Sequence, residues 1–117
     1  MRVQHLASRS DLERVRREGR VASTPALVAI VSRRPAGPAR IGVAAGRKIG
    51  QAVQRNRAKR LLRAGIRPLY PSISGGWDVL LMARPPILEL KSTHVTQQLD
   101  HALRRLRVFA GEAGERM

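Results

Sequence analysis

Apolar positions along this 117-residue chain change rhythm several times, and each rhythm predicts an element. Leu12 and Val15 give a short early helix a small apolar face. Ser10 to Glu13 reads as its capping box, with the Ser10 hydroxyl accepting from the amide three residues on and Glu13 reaching back. Gly19 should stop that helix, because glycine accepts a left-handed conformation. Two strands follow, Leu27 to Ser32 and Arg40 to Ala45, and Pro35-Ala36-Gly37-Pro38 between them is turn chemistry, so an antiparallel hairpin is the simplest pairing. Arg20 to Ser23 adds a short edge strand.

A long helix is predicted from about Gly50 to Arg67, bounded by Pro68 and Pro71. The unbroken run Trp77 to Ala83 reads as a strand buried on both faces, ended by Pro85 and Pro86. A last helix starts near Ser92 or Thr93, with Val95, Leu99, Ala102, Leu103, Leu106 and Phe109 as its core stripe. The sum is one α+β domain over 1–117, a small sheet with three helices packed on it. Its ordered core spans about 8–109, and the tail over 110–117 is expected to fray.

Charge sharpens the picture. Twenty-three Lys and Arg face eight Asp and Glu, a formal net charge of +15. Between Gly19 and Trp77 there are twelve basic residues and no acid. Arg outnumbers Lys twenty to three, and the planar guanidinium fork matches phosphate oxygens and stacks on bases. Such a surface gains from a polyanion, and the arginine bias favours nucleic acid over a membrane. The chain has no cysteine, no stretch of transmembrane length and a polar start, so a cytoplasmic location is expected.

The densest basic segment runs from Gly46 to Arg63. On a helix at about 100° per residue, Ala58, Leu61, Leu62, Gly65 and Leu69 share one face. Asn56, Lys59, Arg60, Arg63 and Arg67 share the opposite one, Arg55 and Arg57 flank it, and Arg47 and Lys48 precede it on the end of the strand. A solvated helix face normally mixes signs, because like charges at i, i+4 repel. An acid-free cationic ridge therefore points to a polyanionic partner, and Asn56 adds an amide suited to a base edge, a 2′-hydroxyl or a hydrated metal.

These residues resemble the signature of the bacterial ribonuclease P protein family. Arg55-Asn56-Arg57, Lys59-Arg60 and Arg63 stand as that signature has them, and so do Arg40 to Val43, the lead-in from Arg47 to Val53, the helix ending at Gly19 and the strand ending Ala83-Arg84-Pro85. The similarity runs from about Ser8 to Arg107. It implies an α/β sandwich in αβββαβα order with a left-handed βαβ crossover, like ribosomal protein S5 domain 2. It implies two partners, the ribonuclease P RNA on the basic helix and precursor tRNA, whose single-stranded 5′ leader lies in a cleft between the first helix and the sheet. No protein partner is required and no membrane is involved. The complex removes the leader with Mg2+ held mainly by the RNA. In many members the cleft carries aromatic side chains. Here those positions are Leu12, Arg16 and Ile30, with Val28 alongside, so Arg16 is expected to substitute in part for base–aromatic stacking, through guanidinium stacking or a phosphate contact, with apolar contact elsewhere in the cleft.

The chain offers little chemistry of its own. Its carboxylates are few and scattered, and His94 and His101, two helical turns apart, stand too far apart for one metal. Gly42 to Ile49 superficially resembles a phosphate-binding loop, but it has one residue too few between its glycines and Ile49 in place of the magnesium-binding hydroxyl. No protein catalytic residue or metal ligand is expected, and cleavage chemistry falls to the RNA. The alternatives are a non-catalytic basic RNA-binding protein of the ribosome and a DNA-binding protein with the basic helix in a major groove.

Overall fold

The computed structural model describes residues 2–110. In chain order the elements are β1 (Gln4–His5), α1 (Arg9–Glu18), β2 (Arg20–Ser23), β3 (Leu27–Arg33), β4 (Arg40–Ala44), α2 (Ala52–Ile66), β5 (Trp77–Ala83) and α3 (Ser92–Leu106). The five strands form one mixed sheet in the order β1-β4-β5-β3-β2. Order begins further toward the N-terminus than the sequence suggested: β1 pairs with β4, and Leu6 behind it is buried. The expected frayed tail, 110–117, lies outside the described residues from 111 on.

The predicted hairpin between β3 and β4 does not form. β5 lies between them, antiparallel to β3 and parallel to β4. The cause lies in composition. β5, like β3, carries apolar residues on both faces, and such strands belong in the interior of a sheet, paired on both edges. Leu27, Ala29 and Val31 with Val79 and Leu81 face the main core under α2 and α3. Ile30 and Leu80 face the other way, into a smaller cluster closed by Leu6 and Val15. β4 and β5 are thus neighbouring parallel strands joined through the basic helix.

Three helix ends differ from their predicted form. Ser8, not Ser10, caps α1, its hydroxyl accepting from the Asp11 amide at 3.4 Å, and the helix starts earlier. Gly19 ends α1 in an extended conformation (φ −77°), not a left-handed one. Space explains this glycine: a Cβ there would lie 2.6 Å from Ile30 Cγ2 and from the Val15 carbonyl oxygen. α3 stops at Leu106, where Arg107 adopts a left-handed turn (φ 59°). Phe109 is therefore buried, as expected, but it reaches the core beyond the helix, bridging to Ile73.

α2 buries Ala58, Leu62, Gly65 and Ile66. Ile66 occupies the place the helical wheel gave to Leu61 and Leu69, which are only half-buried. This face packs on α3 as closely as on the sheet. A Cβ on Gly65 would stand 2.7 Å from Val95 Cγ1, and Thr96 Oγ1 donates to the Gly65 carbonyl at 2.7 Å.

Candidate nucleic-acid interface

The basic helix is aimed by the turn before it. β4 ends at Ala44, so Arg47 and Lys48 lie on a 3-10 turn, Arg47–Ile49, and not on the strand end. Ile49 is buried and anchors that turn, while Arg47 and Lys48 remain exposed. Gly50 takes a φ of 136°, where a side chain would be strained, and turns the chain into α2. Gln51 caps the helix reciprocally with Gln54, whose Oε1 accepts from the Gln51 amide at 2.9 Å.

On α2 the structure places Asn56, Arg57, Arg60, Arg63 and Arg67 in solvent, with Arg55 and Lys59 half-buried. Arg57 makes one long contact, donating to the Leu88 carbonyl at 3.4 Å. Among the described residues, no cation from Arg47 to Arg67 pairs with a carboxylate. The acids that form ion pairs do so elsewhere: Glu13 with Arg9, Glu18 with Arg17, Asp100 with Arg104, and Asp11 and Asp78 in a cluster beneath α1. Positive charge on α2 is thus left for solvent or for a partner.

The opposite sheet face carries the second candidate surface. Strand register sorts its side chains into rows. Arg40, Asp78 and Ser32 form one row, Gly42, Leu80, Ile30 and Val21 the next, and Ala44, Met82, Val28 and Ser23 a third. α1 covers the first two only in part. Val15 packs into the Ile30 and Leu80 cluster, and Leu12 sits so close over Gly42 that a Cβ there would be 2.8 Å from Leu12 Cδ2. The third row stays half-open, with Ala44, Met82 and Val28 partly buried, and Val21 next to it is 56% exposed.

The four predicted cleft residues are therefore not equivalent. Val28 lies in the open row and Arg16 is exposed on α1. Ile30 is 5% exposed and belongs to the core beneath α1. Leu12 lines a cavity toward β4, on the far side from Val28. Sequence reasoning missed Met82 and Ala44, because membership of the row depends on a register the sequence does not reveal.

It also missed what holds α1 in place. Asp78 is fully buried and accepts from three arginines: Arg40 through Nε at 2.8 Å and a terminal nitrogen at 2.7 Å, Arg14 at 2.6 Å, and Arg34 Nε at 3.1 Å. Arg34 also donates to the Ala36 and Pro38 carbonyls, closing the loop after β3. Burial opposes ionisation of Asp78, but the hydrogen bonds from Arg40 and Arg14 and the nearby positive charge outweigh it, holding the carboxyl below the usual range. Asp11 joins through Arg40 at 3.4 Å and Arg14 at 3.5 Å. Among the described residues, no three His, Asp or Glu side chains gather as a metal would require. No helix there is long and apolar enough to cross a membrane.

The sequence matches the Ribonuclease P family over residues 1–107. It is 38% identical to the ribonuclease P protein component of Symbiobacterium thermophilum over 101 residues, 86% of this chain and 88% of that one. It is likewise 38% identical to that of Herpetosiphon aurantiacus over 105 residues, 90% of this chain and 82% of that one. In fold it is similar to the RNase P protein of Staphylococcus aureus (TM-score 0.78, 23% identity, 92% of this chain and 99% of that one). The RNase P protein of Thermotoga maritima is also similar (TM-score 0.73, 24% identity, 84% of this chain and 93% of that one). The acid-free helix, the crossover that presents it and these matches over nearly the whole chain lead to one conclusion: the chain belongs to the ribonuclease P protein family.

Proposed function

We propose that this chain binds the RNA of ribonuclease P through α2 and the 5′ leader of precursor tRNA through the open row beside α1, and so assists removal of the leader. The observation that carries this reading is the exposed cationic ridge of α2, which no carboxylate among the described residues neutralises. The two surfaces lie on opposite faces of one sheet, so the protein can stand between two RNAs. Each RNA repels the other, and a cation-rich body touching both lowers that repulsion while fixing their relative position.

Within the second surface, Val28, Met82 and Ala44 offer apolar contact to unstacked bases, with Met82 as a soft, adaptable element where other members carry aromatics. Arg16, exposed on α1, supplies a guanidinium for a phosphate or a base face. Ile30 supports this surface from below, while Leu12 faces the β4 side instead. Catalytic chemistry is assigned to the RNA. In this reading the magnesium ion belongs on RNA phosphates, and Asp11 and Asp78 serve the arginines that hold them. A cytoplasmic location follows from the same role.

Reconstitution tests the proposal. Purified protein added to its cognate RNA at low Mg2+ should restore cleavage of a precursor tRNA at the mature 5′ end. A basic protein of the ribosome would leave cleavage unchanged.

A further inference from the structure

A cavity of about 570 Å³ opens at the β4 margin of the sheet, apart from the open row beside α1. It exists because β1 is only two residues long. The Leu6 amide makes the last bond of that pairing, to the Ile41 carbonyl at 2.9 Å, and the chain then leaves for α1. β4 continues alone on that side. Peptide groups of residues two apart on a strand point the same way, so Val43 turns its N–H and C=O to the edge that Ile41 uses. Among the described residues, no neighbour beyond β1 takes them up.

The walls are apolar, built from Leu6, Leu12, Ile41, Val43 and Ile66. Gly42 belongs to the floor, where a Cβ would stand 2.7 Å from the Leu6 carbonyl oxygen. Arg2, Arg63 and Arg67 are the charged lining residues, His5 adds an imidazole, and no carboxylate lines the space. An apolar slot with a peptide donor–acceptor pair on one wall and guanidiniums around it matches one chemical shape. That shape has flat apolar faces, a polar edge with donor and acceptor side by side, and an anion on each flank. An unstacked nucleotide has all three, and the volume lies within the range of about 300–1,000 Å³ usual for small-ligand pockets.

We infer that this cavity takes an unpaired, extruded nucleotide of the ribonuclease P RNA, its base between the apolar walls and its flanking phosphates on Arg63 and Arg67. The inference rests on the RNA-binding reading of α2 and deepens it. Arg63 and Arg67 belong at once to the exposed ridge and to the cavity lining, so an RNA lying along the ridge passes the opening. The ridge then supplies affinity for any phosphate backbone, and the cavity supplies a requirement for one unpaired position in it.

Two substitutions fill the cavity from opposite sides: Ala7→Trp, from an exposed residue in its lining, and Val43→Phe, from the β4 edge. The full-length protein is titrated against the cognate RNA at several salt concentrations, and the RNA is footprinted with dimethyl sulfate and a 2′-hydroxyl acylating reagent. Each variant should weaken binding roughly tenfold with a salt slope close to that of the wild type, because every cation of the ridge is retained to meet the backbone. One unpaired nucleotide that the wild-type protein shields should become reactive again, with the rest of the footprint kept. Ala7 is exposed, so Ala7→Trp should melt with the wild-type protein. Wild-type affinity and a complete footprint in that variant would overturn the inference, as would uniform loss of the whole footprint at unchanged melting temperature. Arg60→Glu, outside the cavity, separates the two readings. If that variant keeps wild-type affinity and slope, the ridge reading has failed and the cavity inference with it.

Discussion

Arg40 and Asp78 face each other across the parallel pair β4–β5, joined by two hydrogen bonds of 2.8 and 2.7 Å to a carboxylate with no exposed surface. Arg14 reaches the same carboxylate from α1, so this pair is also the point at which the helix is tied to the sheet. Asp78→Asn would leave three guanidiniums around a neutral amide. Breaking a buried pair by removing one partner typically costs about 3–5 kcal/mol, and partial exposure of the arginines places this site near the lower end. Urea unfolding should show that loss. It should also show its pH dependence. A carboxyl held below its unfolded value stabilises the fold above that value, about 3.9 for Asp, and the contribution fades as pH falls toward the folded value. The wild-type protein should therefore lose stability below about pH 4 more steeply than Asp78→Asn.

Gly65 on α2 meets Val95 on α3 with no room for a further carbon. Gly65→Ala gains helix propensity of up to about 1 kcal/mol, but the added methyl would stand 2.7 Å from Val95 Cγ1. Overpacking of this kind costs typically about 1–3 kcal/mol, so the net effect should be destabilising. Val95→Ala in the same chain should recover part of it. Denaturant midpoints of the two single variants and the double variant give the coupling directly.

The leader surface predicts a selective defect. Arg16→Ala and Met82→Gln should each weaken binding of a precursor tRNA about fivefold, near 1 kcal/mol, and leave binding of the mature, leaderless tRNA unaltered. Competition binding to the reconstituted complex measures both. An equal effect on the two tRNAs would remove these residues from the leader path.

Local periodicity carried much of the fold. All three helices and the buried character of β5 follow from apolar spacing, and the ridge of α2 follows from a helical wheel. What spacing does not encode is which strands become neighbours. The hairpin expected between β3 and β4 is the direct result: turn chemistry at Pro35 to Pro38 describes a reversal of direction, not a pairing, and β5, which begins only at Trp77, takes the intervening place. The same ignorance of register hid the row of Ala44, Met82 and Val28, and hid Asp78, which looked like one scattered acid until β4 brought Arg40 opposite it. Gly19 was found for the wrong reason, since a crowded approach and a left-handed turn leave the same residue in a sequence. The short β1 has too few residues to show any periodicity, and with it went the cavity at the β4 edge.

If α2 grips RNA by its charge, that grip must weaken with salt. Affinity of the full-length protein for its cognate ribonuclease P RNA should fall linearly in log–log form with salt, each phosphate contact contributing a slope of roughly −0.7 to −0.9. Arg60→Glu should flatten that slope by at least about one contact and leave the melting temperature unchanged, since Arg60 is exposed and forms no ion pair among the described residues. A slope the substitution does not alter, or a variant that unfolds, would mean that α2 does not hold RNA through this exposed ridge.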